Sequence, residues 1–207
     1  MDWLIIGVVG YLFGSIPTAV WVGKRFYGVD VREHGSKNAG ATNTFRVLGK
    51  KPGKIVLLID VLKGLLAVLT PQFMYPGLGY ESIVQLKIIA AVTVILGHVF
   101  PLFAGFKGGK GVATALGVII AIHPLTACIC LAIFLGVFLV FNYVSLGAIV
   151  TSVFFPIILV FIFNEKSIPL IVFSIVIGSA VIITHKKNIA RLMNGTENKM
   201  YLRKKIE

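Results

Sequence analysis

The stretch Phe106-Lys107-Gly108-Gly109-Lys110-Gly111-Val112-Ala113-Thr114 places three glycines and two lysines directly before an apolar run. Glycine lets backbone N–H groups turn toward a ligand, and a helix that follows adds the positive end of its dipole. With two ammonium groups beside it, the stretch has the makings of a phosphate cradle. It is not a nucleotide P-loop, because Gly111 stands where Ser or Thr should follow the lysine. Nor is it a dinucleotide fingerprint, because Thr114 occupies the third glycine position. A basic turn between two membrane spans has the same composition, and the stretch alone does not separate the two readings.

A second polar concentration runs from His34 through Gly35-Ser36-Lys37-Asn38-Ala39-Gly40-Ala41-Thr42-Asn43-Thr44-Phe45 to Arg46. Ala41, Phe45 and Leu48 fall at helical spacing, so a short surface helix is expected there, ended by Gly49. Ser36, Asn38, Thr42 and Asn43 would crowd its N-terminal end, a second place where an anion could sit. A third group is His185-Lys186-Lys187-Asn188-Ile189-Ala190-Arg191, where His185, Asn188 and Arg191 share a face if the segment is helical. A basic stop at the membrane surface accounts for it equally well. Asp60 and Lys63, one turn apart in an apolar run, read either as an ion pair that braces the bundle or as part of a catalytic group. His98, before Pro101, reads as a hydrogen-bonding residue at a helix end. Gly14-Ser15-Ile16-Pro17 marks a kink and a point of close packing.

Several chemistries are excluded. No histidine is followed five residues later by aspartate, so the His-x4-Asp acyltransferase pair is missing. There is no carboxylate cluster for magnesium, no Cys/His metal pattern and no Gly-x-Ser-x-Gly elbow. Cys128 and Cys130, two apart in an apolar run, read as inert thiols.

These residues must be positioned by helices in lipid. The chain is 57% hydrophobic and 14% charged, and its apolar residues come in long runs. Seven spans are expected, at 3–23, 54–74, 82–100, 112–122, 125–141, 144–163 and 168–184, in a single domain covering 1–207. The start Met1-Asp2-Trp3 has no basic leader region, so the first run is read as a permanent span. Charge decides the count. Eight basic residues lie in 24–54 (Lys24, Arg25, Arg32, Lys37, Arg46, Lys50, Lys51, Lys54). Two more are Lys107 and Lys110, and seven lie in the tail (Lys186, Lys187, Arg191, Lys199, Arg203, Lys204, Lys205). Seven spans put all of these on the cytoplasmic side, with the N-terminus outside and the C-terminus inside. Asn142-Tyr143-Val144-Ser145 falls on that side too. The net charge of +12 is thereby explained by topology, and nucleic acid is not expected as a partner. The one-sided polar face and the lack of a visible repeat disfavour a transporter.

Taken together, the chain resembles the bacterial PlsY family of acyl-phosphate:glycerol-3-phosphate acyltransferases. The segments that carry the resemblance are Gly14 through Pro17, Gly35 through Asn43, Asp60-Val61-Leu62-Lys63-Gly64, Gly97 through Pro101, Phe106 through Gly117, Tyr143 through Leu146, and His185 through Glu197. Lys37 stands where the family usually has glycine, and Gly147 replaces a common alanine. The resemblance implies an all-α enzyme of the bacterial inner membrane with its site facing the cytoplasm. It would transfer an acyl chain from acyl phosphate to the 1-hydroxyl of glycerol 3-phosphate, giving lysophosphatidic acid and phosphate. No cofactor, metal, acyl-CoA or acyl carrier protein is implied, and membrane lipids are the other partner. The implied catalytic residues are Ser36, Arg46 and Lys110. Arg46, Lys110, His185 and Asn188 are implied around glycerol 3-phosphate, with Ser36 at the meeting point, and Gly108, Gly109, Gly111, Thr42 and Asn43 around the acyl phosphate; Asn38 is implied as a further substrate-binding residue.

Overall fold

Apolar runs of this length leave the backbone one way to satisfy its own polar groups in lipid, and the chain takes it. The computed structural model describes residues 1–201, so Arg203, Lys204 and Lys205 of the basic tail lie outside the described residues. All regular structure among the described residues is helical. Ten helices follow one another: α1 (Asp2–Ser15), α2 (Thr18–Tyr27), α3 (Ala41–Leu48), α4 (Lys50–Met74), α5 (Tyr80–Val99), α6 (Val112–Ile122), α7 (Pro124–Phe141), α8 (Val144–Ile157), α9 (Ile168–Thr184) and α10 (Lys186–Met193). A 3₁₀ turn at Leu102–Ala104 follows α5, and a π-helical turn at Ile158–Ile162 continues α8 beyond Pro156.

Four stretches are long and apolar enough to cross a membrane: Asp2–Tyr27, Tyr80–Ala104, Pro124–Phe141 and Val144–Ile162. The pair α9 and α10, bent by 59°, passes the same test together, and α6 is a shorter apolar helix. Each of the seven segments expected to span is helical, the first being divided between α1 and α2. Outward faces are apolar too, with Leu4, Leu58, Val140 and Phe161 all exposed. Such helices, hydrophobic all round, suit a lipid surrounding. The protein is an all-helical, polytopic membrane protein.

The chain forms two compact units, Met1–Pro124 and Leu125–Glu207. In the first, α1 packs along α5 and α4 along α6. Glycines make both seams. A Cβ on Gly14 would collide with the Val94 carbonyl, and one on Gly97 with the Tyr11 carbonyl. Gly64 and Gly117 bring α4 and α6 together in the same way. The expected kink is a break: α1 ends at Ser15, and Pro17, which has no N–H to donate, precedes α2. The expected short helix is α3, whose backbone leaves the helical region at Gly49 (φ 96°). It is pinned by an apolar cluster of Ala19, Val22, Val31 and Val56, against which Ala41 and Leu48 pack. In the second unit α8 packs on α9, and the turn after His185 starts α10.

Candidate active site

In the first unit, the loop 28–40 between α2 and α3 is held by side chains as well as by its own turns. Arg32 donates to both Asp30 oxygens (Nε to Oδ1 at 3.0 Å, Nη2 to Oδ2 at 2.8 Å) and through Nη1 to the Ala104 carbonyl at 2.8 Å. These bonds, the Arg32 pair foremost, hold the Asp30 carboxyl well below the usual carboxylate range despite its burial. Lys24 adds a second cation at 3.1 Å. Arg32 thus ties the start of the loop to the 3₁₀ turn that leads into the glycine–lysine stretch.

Asn43, on the buried face of α3, organises the rest. Its Oδ1 accepts the Ser36 N–H at 2.8 Å, and its Nδ2 donates to the carbonyls of Val31 (2.7 Å) and His34 (3.1 Å). The amide of Asn43 is therefore engaged in shaping the loop that presents Ser36. The Ser36 side chain is half-buried, and that of Arg46, on the last turn of α3, is exposed. Arg46 lies against the residue before Ser36: its Cδ is 3.5 Å from where a Cβ on Gly35 would be. Lys37, the departure from the family's glycine, adopts a left-handed backbone (φ 59°), which favours glycine and costs another residue about 1–2 kcal/mol. Asn38 is half-buried, its Nδ2 2.9 Å from where a Cβ on Gly40 would be, and Thr42 is half-buried in the first turn of α3.

The glycine–lysine stretch folds back on the end of α5. Gly108 donates its N–H to the Val99 carbonyl at 3.2 Å, and Gly109 donates to the His98 carbonyl at 3.1 Å. Here the glycines serve close approach: a Cβ on Gly108 would meet the His98 carbonyl, and one on Gly109 the His98 ring. Gly111, in the left-handed region (φ 84°), turns the chain into α6. The first amides of α6 have no intrahelical carbonyl to donate to, so positive potential gathers beside half-buried Lys110. Gly109 also abuts the first loop, since the Ala39 carbonyl lies 3.0 Å from its Cβ position. The two polar stretches singled out by composition are neighbours.

Behind them lies a polar cluster that the sequence shows only in part. Asp60 and Lys63 pair at 2.9 Å, both buried, as expected of a brace. Thr18 donates to Asp60 at 3.1 Å, and Lys63 donates to the Ile16 carbonyl at 3.0 Å, so the pair caps the break between α1 and α2. His98 is buried, with Nδ1 3.1 Å from Thr114 Oγ1 and 3.8 Å from Asp60. Thr18 carried no signal beyond an ordinary threonine in an apolar run, and Thr114 was marked only as the end of the glycine–lysine stretch.

The second unit holds the third stretch. His185 is buried, and its Nδ1 lies 2.7 Å from the Val181 carbonyl. A carbonyl only accepts, so Nδ1 carries a hydrogen. Asn188, also buried, donates to Glu197 Oε1 at 2.7 Å; Ser145 donates to the same oxygen at 2.8 Å, and Arg191 Nε to Oε2 at 2.7 Å. Burial raises the Glu197 carboxyl, but the bonds from Arg191, Asn188 and Ser145 outweigh it and hold the group below its ordinary value. Glu197 was quoted in the resemblance without a role. Its place as a hub was hidden because its partners lie 6, 9 and 52 residues away.

Among the described residues no group of three or more His, Cys, Asp or Glu is placed to hold a metal ion. Helices and loops together define a polytopic membrane protein with hydroxyl-, lysine- and arginine-bearing loops suited to anions. Comparison narrows the class. The family model described as glycerol-3-phosphate acyltransferase matches residues 4–195. A glycerol-3-phosphate acyltransferase of Fusobacterium nucleatum is 47% identical over 93% of this chain and 95% of its own. One from Clostridioides difficile is 42% identical over 96% of both chains. The crystal structure of PlsY, an integral membrane glycerol 3-phosphate acyltransferase, in its glycerol 3-phosphate form superposes with a TM-score of 0.86 at 37% identity, covering 97% of this chain and 96% of that one. Its lysophosphatidic acid form gives a TM-score of 0.83 at the same identity. The chain belongs to the glycerol-3-phosphate acyltransferase family, and its fold is that of PlsY.

Proposed function

We propose that this protein is a glycerol-3-phosphate acyltransferase that uses acyl phosphate as its donor, as a single seven-span domain of the bacterial inner membrane with its N-terminus outside and its polar loops facing the cytoplasm. Family membership supports the acceptor. The observation that carries the rest is the apposition of the Ser36 loop and the Gly108–Gly111 loop. A reaction that joins two phosphate-bearing molecules needs two anion-directed surfaces side by side, with enough positive charge to offset their repulsion. Arg46, Lys110, His185 and Asn188 are assigned to glycerol 3-phosphate, and Asn38 to substrate binding. Thr42, Gly108, Gly109 and Gly111 are assigned to the acyl phosphate, with Asn43 acting through the loop it shapes. An acyl chain can remain in lipid, where each buried CH₂ contributes about 0.8 kcal/mol.

In the proposed step the 1-hydroxyl oxygen of glycerol 3-phosphate attacks the acyl carbonyl carbon. The bond from that carbon to the phosphate oxygen breaks, and phosphate leaves with the electron pair. The hydroxyl proton passes to a phosphate oxygen of the donor, with Ser36 orienting or relaying it. Lys110 and Arg46 stabilise the gathered negative charge. Positioning of this kind can lower a barrier by roughly 7–11 kcal/mol, and acyl phosphate already carries a good leaving group. No cofactor or metal enters the scheme.

The test is direct. Purified protein given acyl phosphate and glycerol 3-phosphate should release lysophosphatidic acid and phosphate in equal amounts. Ser36→Ala and Lys110→Ala should each abolish or greatly reduce turnover. Turnover with acyl-CoA but not acyl phosphate would overturn the donor assignment. An acylated Ser36 peptide, trapped after mixing with donor alone, would replace direct transfer by a covalent route.

A further inference from the structure

The proposed chemistry makes no use of His98, yet this residue touches the lysine loop on both sides of Lys110. Its carbonyl accepts the Gly109 N–H at 3.1 Å, and its ring packs on Gly109 so closely that a Cβ there would strike Nε2. Its Nδ1 meets Thr114 Oγ1, in the first turn of α6, at 3.1 Å. Gly109 is one residue before Lys110 and Thr114 four after it. Asp60 lies 3.8 Å from the same Nδ1 and is itself fixed by Lys63 and Thr18. Asp60, Lys63, His98, Gly108 and Gly109 line one small cavity of about 10 Å³, too little for anything larger than a water molecule. So the network is a packed support and not a second binding site. Both His98 and Thr114 are fully enclosed, and a buried polar pair that only filled space could be replaced by apolar groups at little loss.

We propose that His98 is the positioning residue of the phosphate loop: through Gly109 and Thr114 it sets the backbone that carries Lys110, and Asp60 and Lys63 hold His98 in place for that purpose. The inference rests on the assignment of this loop to a phosphate-bearing substrate. It makes the buried ion pair, read from sequence as a brace for the bundle, the far end of the substrate-binding apparatus.

The experiment measures KM and kcat for both substrates on purified variants, with melting temperature and circular dichroism as checks on folding. His98→Phe keeps a ring but removes both nitrogens. It should raise KM for at least one phosphate substrate by about tenfold or more, with any fall in kcat smaller than that of Lys110→Ala, the pattern of a displaced binding loop whose lysine is still present. His98→Asn, whose side chain reaches the Nδ1 position, should restore KM to within about threefold, and His98→Gln, which reaches the Nε2 position, should not. Thr114→Val should reproduce the KM rise, and the double variant with His98→Phe should be no worse than either single one. An unchanged KM in folded His98→Phe or Thr114→Val overturns the proposal, as does a fall in kcat alone. If His98→Phe does not fold, Thr114→Val decides. Lys110→Ala is measured alongside. If it keeps wild-type kcat/KM, the loop assignment fails. If it collapses while His98→Phe and Thr114→Val keep wild-type KM, only the role of His98 falls.

Discussion

The side-chain oxygen of Asn43 accepts the backbone N–H of Ser36 at 2.8 Å, while the nitrogen of the same amide donates to Val31 and His34. One buried side chain therefore holds three points of the loop that presents Ser36, and it needs an acceptor and two donors to do so. Aspartate has the shape but not the donors. Asn43→Asp would set an oxygen against two buried carbonyls and should cost about 2–4 kcal/mol, since each buried polar group left unsatisfied costs about 1–3 kcal/mol. The expected outcome is a lower midpoint of thermal unfolding in detergent together with a fall in turnover at least as large as that of Asn43→Ala.

Gly109→Ala tests close approach. The added methyl would strike the His98 ring and press on the Ala39 carbonyl, so the loop must move. Turnover should drop by about tenfold or more, in line with a misplacement of order 1 Å near a reacting centre. Gly136→Ala is the control, because a Cβ there meets nothing within 4 Å. It should leave turnover and stability unchanged.

Glu197 makes stability of the second unit depend on acidity. Its carboxyl is held below the ordinary value of 4.5, so the folded state favours the charged form. That contribution is fully present above about pH 4.5 and is lost as pH falls through the folded value. Glu197→Gln should be less stable than the wild type at neutral pH. The gap should close as pH is lowered below 4.5, measured by thermal unfolding in detergent.

The Asp60–Lys63 pair should show the asymmetry of buried ion pairs. Lys63→Met leaves the enclosed Asp60 without its cation, facing only Thr18 and the His98 ring, and should destabilise by about 3–5 kcal/mol. The double change Asp60→Leu with Lys63→Met should be milder than Lys63→Met, though not neutral, because Thr18 and the Ile16 carbonyl lose their partners. Unfolding of the two single variants and the double one gives the coupling directly.

What could be read from the residues was whatever is local. Seven apolar runs and a three-residue apolar spacing are enough to place the helices and even α3, since periodicity and a following glycine act within one element. The break at Ile16–Pro17 is equally local, because proline carries its own constraint. The glycine–lysine stretch was recognised for the right composition, but its geometry was not foreseen. Gly108 and Gly109 turn their N–H groups inward to α5, and nothing near them in sequence announces that His98 and Val99 will receive them. Ser145 with Glu197, and Thr114 with His98, are likewise long-range pairings. Their residue types are ordinary, and only folding makes them partners.

The glycine seam between α1 and α5 also bears on how lipid moves. Backbone meets backbone there, with Gly14 against Val94 and Gly97 against Tyr11. Carbon atoms in contact need about 3.5–4.0 Å. A hydrocarbon tail has no room to slip between these two helices. If the proposed reaction holds, a long-chain donor or product cannot pass through this seam, which makes α1 and α5 a fixed doorpost beside any traffic of lipid.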